Sequence, residues 1–278
     1  VRKKKLMLYS PFLSITRLIT FIFWTIFCSV IHLFFFFLPK SFFFIMPKIY
    51  FKFLLVIFGI KVRFEGEPSK NKTVYVSNHT SYLDILILGA NLDALFVAKS
   101  EIADWPLINR IVKIGKTIFI NRNKKSNATK QVHELNQIIR DGYNIILFPE
   151  GTSNDGQRVL PFKSSLFSIT DYQENEGCYI QPISITYVGL DGLPLSRMFK
   201  PFFAWYGDMD LLPHAWKFLG LGSSEISVKY LRPVLFTKFN SRKDFSDYCY
   251  NQISNQVAYD LASRNKESVV NIFSHKHL

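Results

Sequence analysis

Cysteine is scarce in this 278-residue chain, and acidic residues are outnumbered by basic ones. Cys28, Cys178 and Cys249 lie far apart, with no CxxC pair and no Cys/His spacing of a metal site. A disulfide framework and a structural zinc cluster are excluded, and a reducing, cytosol-facing environment fits. Asp and Glu number 21 against 34 Lys and Arg, a net charge of +13. Such an excess asks for an anionic partner: nucleic acid, an anionic membrane face, or an acidic carrier protein. Several catalytic signatures are also missing. There is no Gly-x-Ser-x-Gly elbow of a serine hydrolase. His133-Glu134 has Gln137 where a zinc-protease helix needs its second His, and Gly115-Lys116-Thr117 has Arg110 where a P-loop needs its first Gly. No helix-turn-helix or RNP pattern occurs, so no nucleic-acid partner is expected. Asp208, Asp210 and His214 could chemically ligate a cation, but the stretch reads better as a turn with solvated carboxylates, and no metal is expected.

Phenylalanine is abundant, with 28 in the chain and four in a row at 34–37. Leu18 to Leu38 is 21 residues without a formal charge. As a helix it would run about 31 Å, the thickness of a bilayer's hydrocarbon core. Arg2, Lys3, Lys4, Lys5 and Arg17 precede it, which favours a cytoplasmic N-terminus. A secretory signal would have a shorter apolar region and a small-residue cleavage site, and none follows this run. Pro39-Lys40 breaks the run, and Ser41 to Ile60 resumes it with Pro47, Lys48 and Lys52, whose ammonium groups can snorkel to headgroups. Residues 1–60 therefore read as a helical hairpin that dips into one leaflet, in preference to two crossings. Either way the rest of the chain returns to the N-terminal side, the cytoplasmic face of the cell membrane, with anionic lipid as the partner of the basic excess.

From residue 61 short apolar runs alternate with helical stretches. The strand candidates are Val62–Glu65, Thr73–Ser77, Ala94–Ala98, Thr117–Asn121, Asn144–Phe148, Tyr179–Tyr187 and Ile226–Leu231. The helical candidates are Ser81–Leu88, Pro106–Ile114, Ala128–Asp141 and Phe162–Asp171, with Arg242–Ser263 as a terminal helix. This order predicts an α/β catalytic domain over 61–263, a mixed, largely parallel sheet flanked by helices, followed by a polar tail over 264–278.

Four blocks carry chemistry. In Asn78-His79-Thr80-Ser81-Tyr82-Leu83-Asp84 a His follows a strand and an Asp stands five residues on, at the start of a helix. The Asp can hold one ring nitrogen, and the other is left to take a proton from a hydroxyl. An alcohol needs this, because its pKa lies far above 7. A strand-end His that merely caps a helix is the rival reading. Phe148-Pro149-Glu150-Gly151-Thr152 makes a tight turn after another strand, where open α/β sheets bind ligands. An ordinary strand-to-loop turn would look the same. Gly115 to Arg122 is a strand ending in an arginine suited to phosphate or carboxylate. Gln181-Pro182-Ile183-Ser184-Ile185 is an apolar strand entered by Pro.

Taken in this order, over residues 61–235, the blocks resemble the glycerolipid acyltransferase family, whose pattern is N-H-x4-D, G-x-x-F-I-x-R, F-P-E-G-T and V/I-P-V/I. The resemblance implies that His79 is the general base and Asp84 its partner. It places Arg122, Glu150, Gly151 and Thr152 on the acceptor-binding surface, and Lys99 where relatives often carry a basic residue. It implies transfer of a fatty acyl group from acyl-CoA or acyl carrier protein to the hydroxyl of a membrane lysolipid, with no further cofactor. The commonest acceptor in the family, lysophosphatidic acid, is the first expectation. One departure opens an alternative. Phosphate-acceptor relatives often continue F-P-E-G-T with Arg, and here Ser153 stands, with Arg158 or Lys163 left to supply that charge. The stretch from Glu150 to Phe162 and the segment Trp205 to Asp210 are similar to a bacterial branch that includes lyso-ornithine lipid acyltransferases. A non-catalytic membrane scaffold of the same fold is the rival from another class, and the presence of both His79 and Asp84 argues against it.

Overall fold

The computed structural model describes residues 9–35, 43–99, 118–120, 128–171 and 177–274. It opens with helix α1 (Pro11–Phe35), seven residues ahead of the expected apolar run. Pro11 takes the first helical position, where its missing N–H costs nothing, and the Ser10 hydroxyl accepts the Leu13 amide at 3.4 Å. Helix α2 (Ile45–Ile57) packs beside α1 and runs antiparallel to it. The Phe21 ring meets Phe58, Trp24 meets Phe53 at 4.3 Å between centroids, and His32 meets Phe43. Among the described residues only α1 is long and apolar enough to cross a membrane. Of the expected pair, α1 alone has the length of a crossing, which a shallow hairpin does not require of α2. Helix α2 has 13 residues, about 20 Å, and its Met46, Leu54 and Leu55 are buried.

Among the described residues the remaining chain builds one nine-stranded sheet. Its strands are β1 (Ile60–Glu65), β2 (Thr73–Ser77), β3 (Ala94–Lys99), β4 (Ile118–Ile120), β5 (Asn144–Leu147), β6 (Tyr179–Leu190), β7 (Leu193–Pro194), β8 (Ser224–Tyr230) and β9 (Val234–Leu235). The main path runs β1-β8-β6-β2-β5-β3-β4, with β7 and β9 added on β6. Neighbours β6, β2, β5, β3 and β4 are parallel, and so are β1 and β8. The β8/β6 pair is antiparallel, so the sheet is mixed and largely parallel, as the alternating pattern predicts.

The helices are α3 (Leu83–Gly89), α4 (Ala128–Arg140), α5 (Leu211–Leu219) and α6 (Arg242–Ser274). Alternating strand residues feed two apolar layers. Tyr75, Ile146, Ile183 and Ile185 join Leu83, Ile87 and Phe218 on one face, with Leu54, Leu55 and Phe58 from α2 and its C-terminal cap. Val74, Val76, Ile145, Leu147 and Ile180 join Leu135, Ile139, Phe245 and Ile253 on the other. Each face thus buries its own set of side chains under helices.

Several boundaries differ from expectation. Strand β6 continues past Tyr187 to Leu190 across a register shift at Tyr187/Gly189. Residues from Ser164 to Asp171 form a 3-10 helix. The terminal helix runs beyond Ser263 to Ser274, into the stretch expected to be a polar tail. The expected helix Pro106–Ile114 lies outside the described residues, as do the ends Thr117 and Asn121 of the expected fourth strand.

A chain beginning at Lys61 would strip Leu54, Leu55 and Phe58 from the first apolar layer. Such a truncation should pellet in detergent-free buffer and lose its cooperative thermal transition. A soluble product melting like the full chain would show that α2 is dispensable to the core.

Candidate active site

Strands β2 and β5 lie side by side and parallel, so the turns that follow them meet at one end of the sheet. The first turn starts at Asn78. Its buried side chain acts as one more rung of sheet: Nδ2 donates to the Ile185 carbonyl at 2.9 Å and Oδ1 accepts the Ile185 amide at 2.8 Å. The β2 exit is thereby fixed to β6.

His79 comes next, and its Nδ1 lies 2.9 Å from Asp84 Oδ2. Asp84 has no exposed surface, while the His79 side chain is 19% exposed. The same Oδ2 accepts the Thr80 amide at 2.7 Å and the Ser81 amide at 2.9 Å. The Tyr187 hydroxyl donates to Oδ1 at 2.7 Å. Burial, the adjoining carboxylate and the bond to it push the Tyr187 hydroxyl well above its ordinary range, so it remains a donor. An oxygen that already accepts two backbone amides can only accept from the imidazole as well. Nδ1 therefore carries the ring proton, and Nε2 has the unshared pair. The Phe148 ring stacks on the imidazole, centroids 4.2 Å apart, and fixes its plane.

Glu150 is expected on the acceptor-binding surface, and the structure corrects this. It is buried. Its Oε1 accepts the His79 amide at 2.7 Å, and its Oε2 accepts the Leu160 amide at 2.8 Å and the Asn154 amide group. The carboxylate ties the two turns together beneath the surface. Asn154 adds to the tie, because its own N–H donates to the His79 carbonyl at 3.1 Å. Gly151 has φ +74° and Gly156 φ +67°, in the left-handed region open to glycine. A Cβ on Gly156 would lie 2.9 Å from Thr80 Cγ2, so the second turn can close over the first only without one. Buried Lys200 donates to the Gly156 carbonyl at 2.6 Å from the far side.

Of the other expected residues, Gly151 is buried in the turn, and Thr152 and Arg158 are exposed on the same loop. Lys99 ends β3, whose neighbour is β5, so its backbone lies at the same end of the sheet. Arg122 lies outside the described residues. His214 is engaged at both ring nitrogens, Nδ1 with the Tyr82 hydroxyl and Nε2 with the Pro201 carbonyl, each at 3.2 Å. Tyr187, Asn154 and Lys200 are the residues that sequence reading missed. The only trace of them was the Asn-Asp-Gly run after the second motif.

Burial pushes the Glu150 carboxyl from 4.5 up to about 7, against the pull of three donors. A group raised in the folded state contributes stability that is full below its unfolded value and lost as pH rises through the folded one. The melting temperature of the wild type should therefore fall, relative to Glu150→Gln, between about pH 4.5 and about pH 7. Parallel curves for the two proteins would show that folding does not raise the Glu150 carboxyl.

Comparison with known proteins agrees with this geometry. A family model described as Acyltransferase matches residues 59–186. The chain is 32% identical over 218 residues to the lyso-ornithine lipid O-acyltransferase of Rhizobium meliloti (strain 1021), covering 77% of this chain and 75% of that one. It is 27% identical over 173 residues to the 1-acyl-sn-glycerol-3-phosphate acyltransferase of Neisseria gonorrhoeae, covering 62% and 64%. The fold is similar to the crystal structure of the 1-acyl-sn-glycerophosphate (LPA) acyltransferase PlsC from Thermotoga maritima, with a TM-score of 0.64 at 20% identity over 88% of this chain and 96% of that one. With its His79–Asp84 turn and its Phe148–Thr152 turn joined at the ends of two parallel strands, this chain belongs to the lysolipid acyltransferase family.

Proposed function

We propose that His79 is the general base of an O-acyl transfer at the cytoplasmic face of the cell membrane, with Asp84 as its orienting partner. The observation that carries this reading is the imidazole held at Nδ1 by a fully buried carboxylate, leaving Nε2 as the proton acceptor. The hydroxyl oxygen of a lysolipid attacks the thioester carbonyl of acyl-CoA or acyl carrier protein while Nε2 takes its proton. The tetrahedral intermediate collapses, the C–S bond breaks, and His79 returns the proton to the departing thiolate. Oxyanion stabilisation falls to the second turn, because the His79, Thr80 and Ser81 amides of the first are bonded to Glu150 and Asp84. Asp84 steadies the imidazolium that forms in between. Both donors are acidic, which suits a chain of net charge +13.

For the acceptor, the family's commonest substrate gives way to a lyso-ornithine lipid. Ser153 replaces the arginine that often follows the second motif in phosphate-binding relatives. The loop instead offers a carboxylate at Asp155 and a guanidinium at Arg158, opposite charges for a headgroup that bears an amine and a carboxylate. The relative named for lyso-ornithine lipid also matches more of the chain, at higher identity, than the one named for 1-acyl-sn-glycerol-3-phosphate.

Three outcomes are expected. His79→Ala should lose about 10²–10⁴-fold in rate while folding and binding membrane normally. Near-normal turnover by the folded variant would end the assignment. Asp84→Asn should be severely impaired as well, since an amide can present its N–H to the ring and favour the wrong tautomer. In competition at equal concentration in the same liposomes, lyso-ornithine lipid should be acylated ahead of lysophosphatidic acid. Preference for lysophosphatidic acid would return the acceptor site to a phosphate, with acyl transfer unaffected.

A further inference from the structure

Helix α5 has two faces, and the mechanism above uses neither of them. Its inner face reaches the first catalytic turn. His214 accepts the Tyr82 hydroxyl, and the preceding loop reaches the same turn through the Trp205 amide, which donates to the Thr80 carbonyl at 3.1 Å. Its outer face carries Leu212, 81% exposed, and Trp216, 36% exposed, one turn apart, with Pro213 and Lys217 beside them.

The neighbour of this outer face is α1. The Ser10 amide donates to the Gly220 carbonyl at 2.8 Å, and the Ser14 hydroxyl donates to the Trp216 carbonyl at 3.0 Å. Arg17 donates to the Leu219 carbonyl at 3.1 Å and the Leu221 carbonyl at 2.6 Å, so its guanidinium caps the end of α5. The first turns of the apolar helix and α5 are thus joined rigidly. On α1 itself Phe12, Ile15 and Ile19, from the same turns of helix, are exposed. Two rigidly joined helices thus each carry an exposed apolar face, and exposed apolar faces of this kind mark contact sites.

We infer that α5 is an interfacial helix, which lies in the headgroup layer of the bilayer beside the entry point of α1 and seats the mouth of the active site there. This rests on the reading of α1 as a membrane helix. The occupant of the face is the lipid surface. Leu212 enters the acyl boundary, Trp216 takes the amphipathic headgroup level that suits its ring, and Lys217 meets anionic headgroups. A lysolipid held at this depth reaches His79 by moving along α5, without leaving the membrane.

The test uses the full chain reconstituted in anionic vesicles. A nitroxide on Leu212→Cys reads depth directly, since Cys28, Cys178 and Cys249 are all buried. Collisions with oxygen should outweigh those with a water-soluble nickel complex, and the reverse should hold for Glu134→Cys on exposed α4. The double variant Leu212→Glu with Trp216→Glu should still sediment with vesicles through α1. Its rate on acceptor embedded in vesicles should fall on the order of tenfold, and its rate on the same acceptor in detergent micelles should change little. A nickel-accessible label at position 212 in a chain that sediments with vesicles overturns the inference alone, and so does an equal loss in vesicles and micelles. A wild-type chain that fails to sediment overturns the membrane reading and this inference with it.

Discussion

Everything at the candidate active site depends on keeping one carboxylate charged where water does not reach. Asp84 is fully buried, and burying an uncompensated carboxylate would be prohibitive. Four donors make the burial tolerable: two backbone amides, the His79 ring and the Tyr187 hydroxyl. The amides come from the turn that carries His79, so the charge that orients the ring also shapes the loop that presents it. Tyr187 comes from β6, on the other side of β2. Removing the charge would therefore release the His79 turn and its tie to β6 together.

A second carboxylate repeats this arrangement one loop away with a different result. Glu150 also accepts three donors, yet they come from both motif turns and none is a catalytic group. Burial raises its carboxyl to about 7. The two acids of the two motifs thus divide the work. One holds the His79 ring, and the other fastens the loop that faces it. The division follows from the parallel pairing of β2 with β5, which brings the two exits together at a distance one side chain can bridge.

The sequence made the periodic parts of this molecule plain. Strand β2 begins and ends where its apolar run does, and α4 follows the stripe of Leu135, Ile138 and Ile139 to within one residue. The His79–Asp84 pair was legible because both members lie within one turn of chain. Tyr187, Asn154 and Lys200 were not, because each acts across a fold that only the sheet order creates. Glu150 was misread for a related reason: a carboxylate in a motif looks like a ligand-binding group until its burial is known. Helix α5 was missed because Pro213 interrupts a short apolar stretch, although proline is tolerated in a first turn.

The attachment of α1 to the domain limits how the site can meet a membrane. An apolar helix on a flexible tether would leave the orientation of the catalytic turns free. Here the connection is short and stiff. Arg17 spends its guanidinium on carbonyls from Leu219 to Gly222, and the Tyr9 ring lies against Gly220, where a side chain would collide. The α2 side closes the arrangement, with Trp24 donating to the Tyr50 carbonyl at 3.2 Å and Phe51 packed against Gly89 of α3. Because α3 begins with the Asp84 turn, the α1–α2 pair reaches His79 through packed elements and no loop. A helix fixed in the bilayer therefore fixes the height and tilt of His79 relative to it. For the proposed transfer to an acceptor hydroxyl at the membrane surface, this placement supplies a proximity that His79 alone cannot.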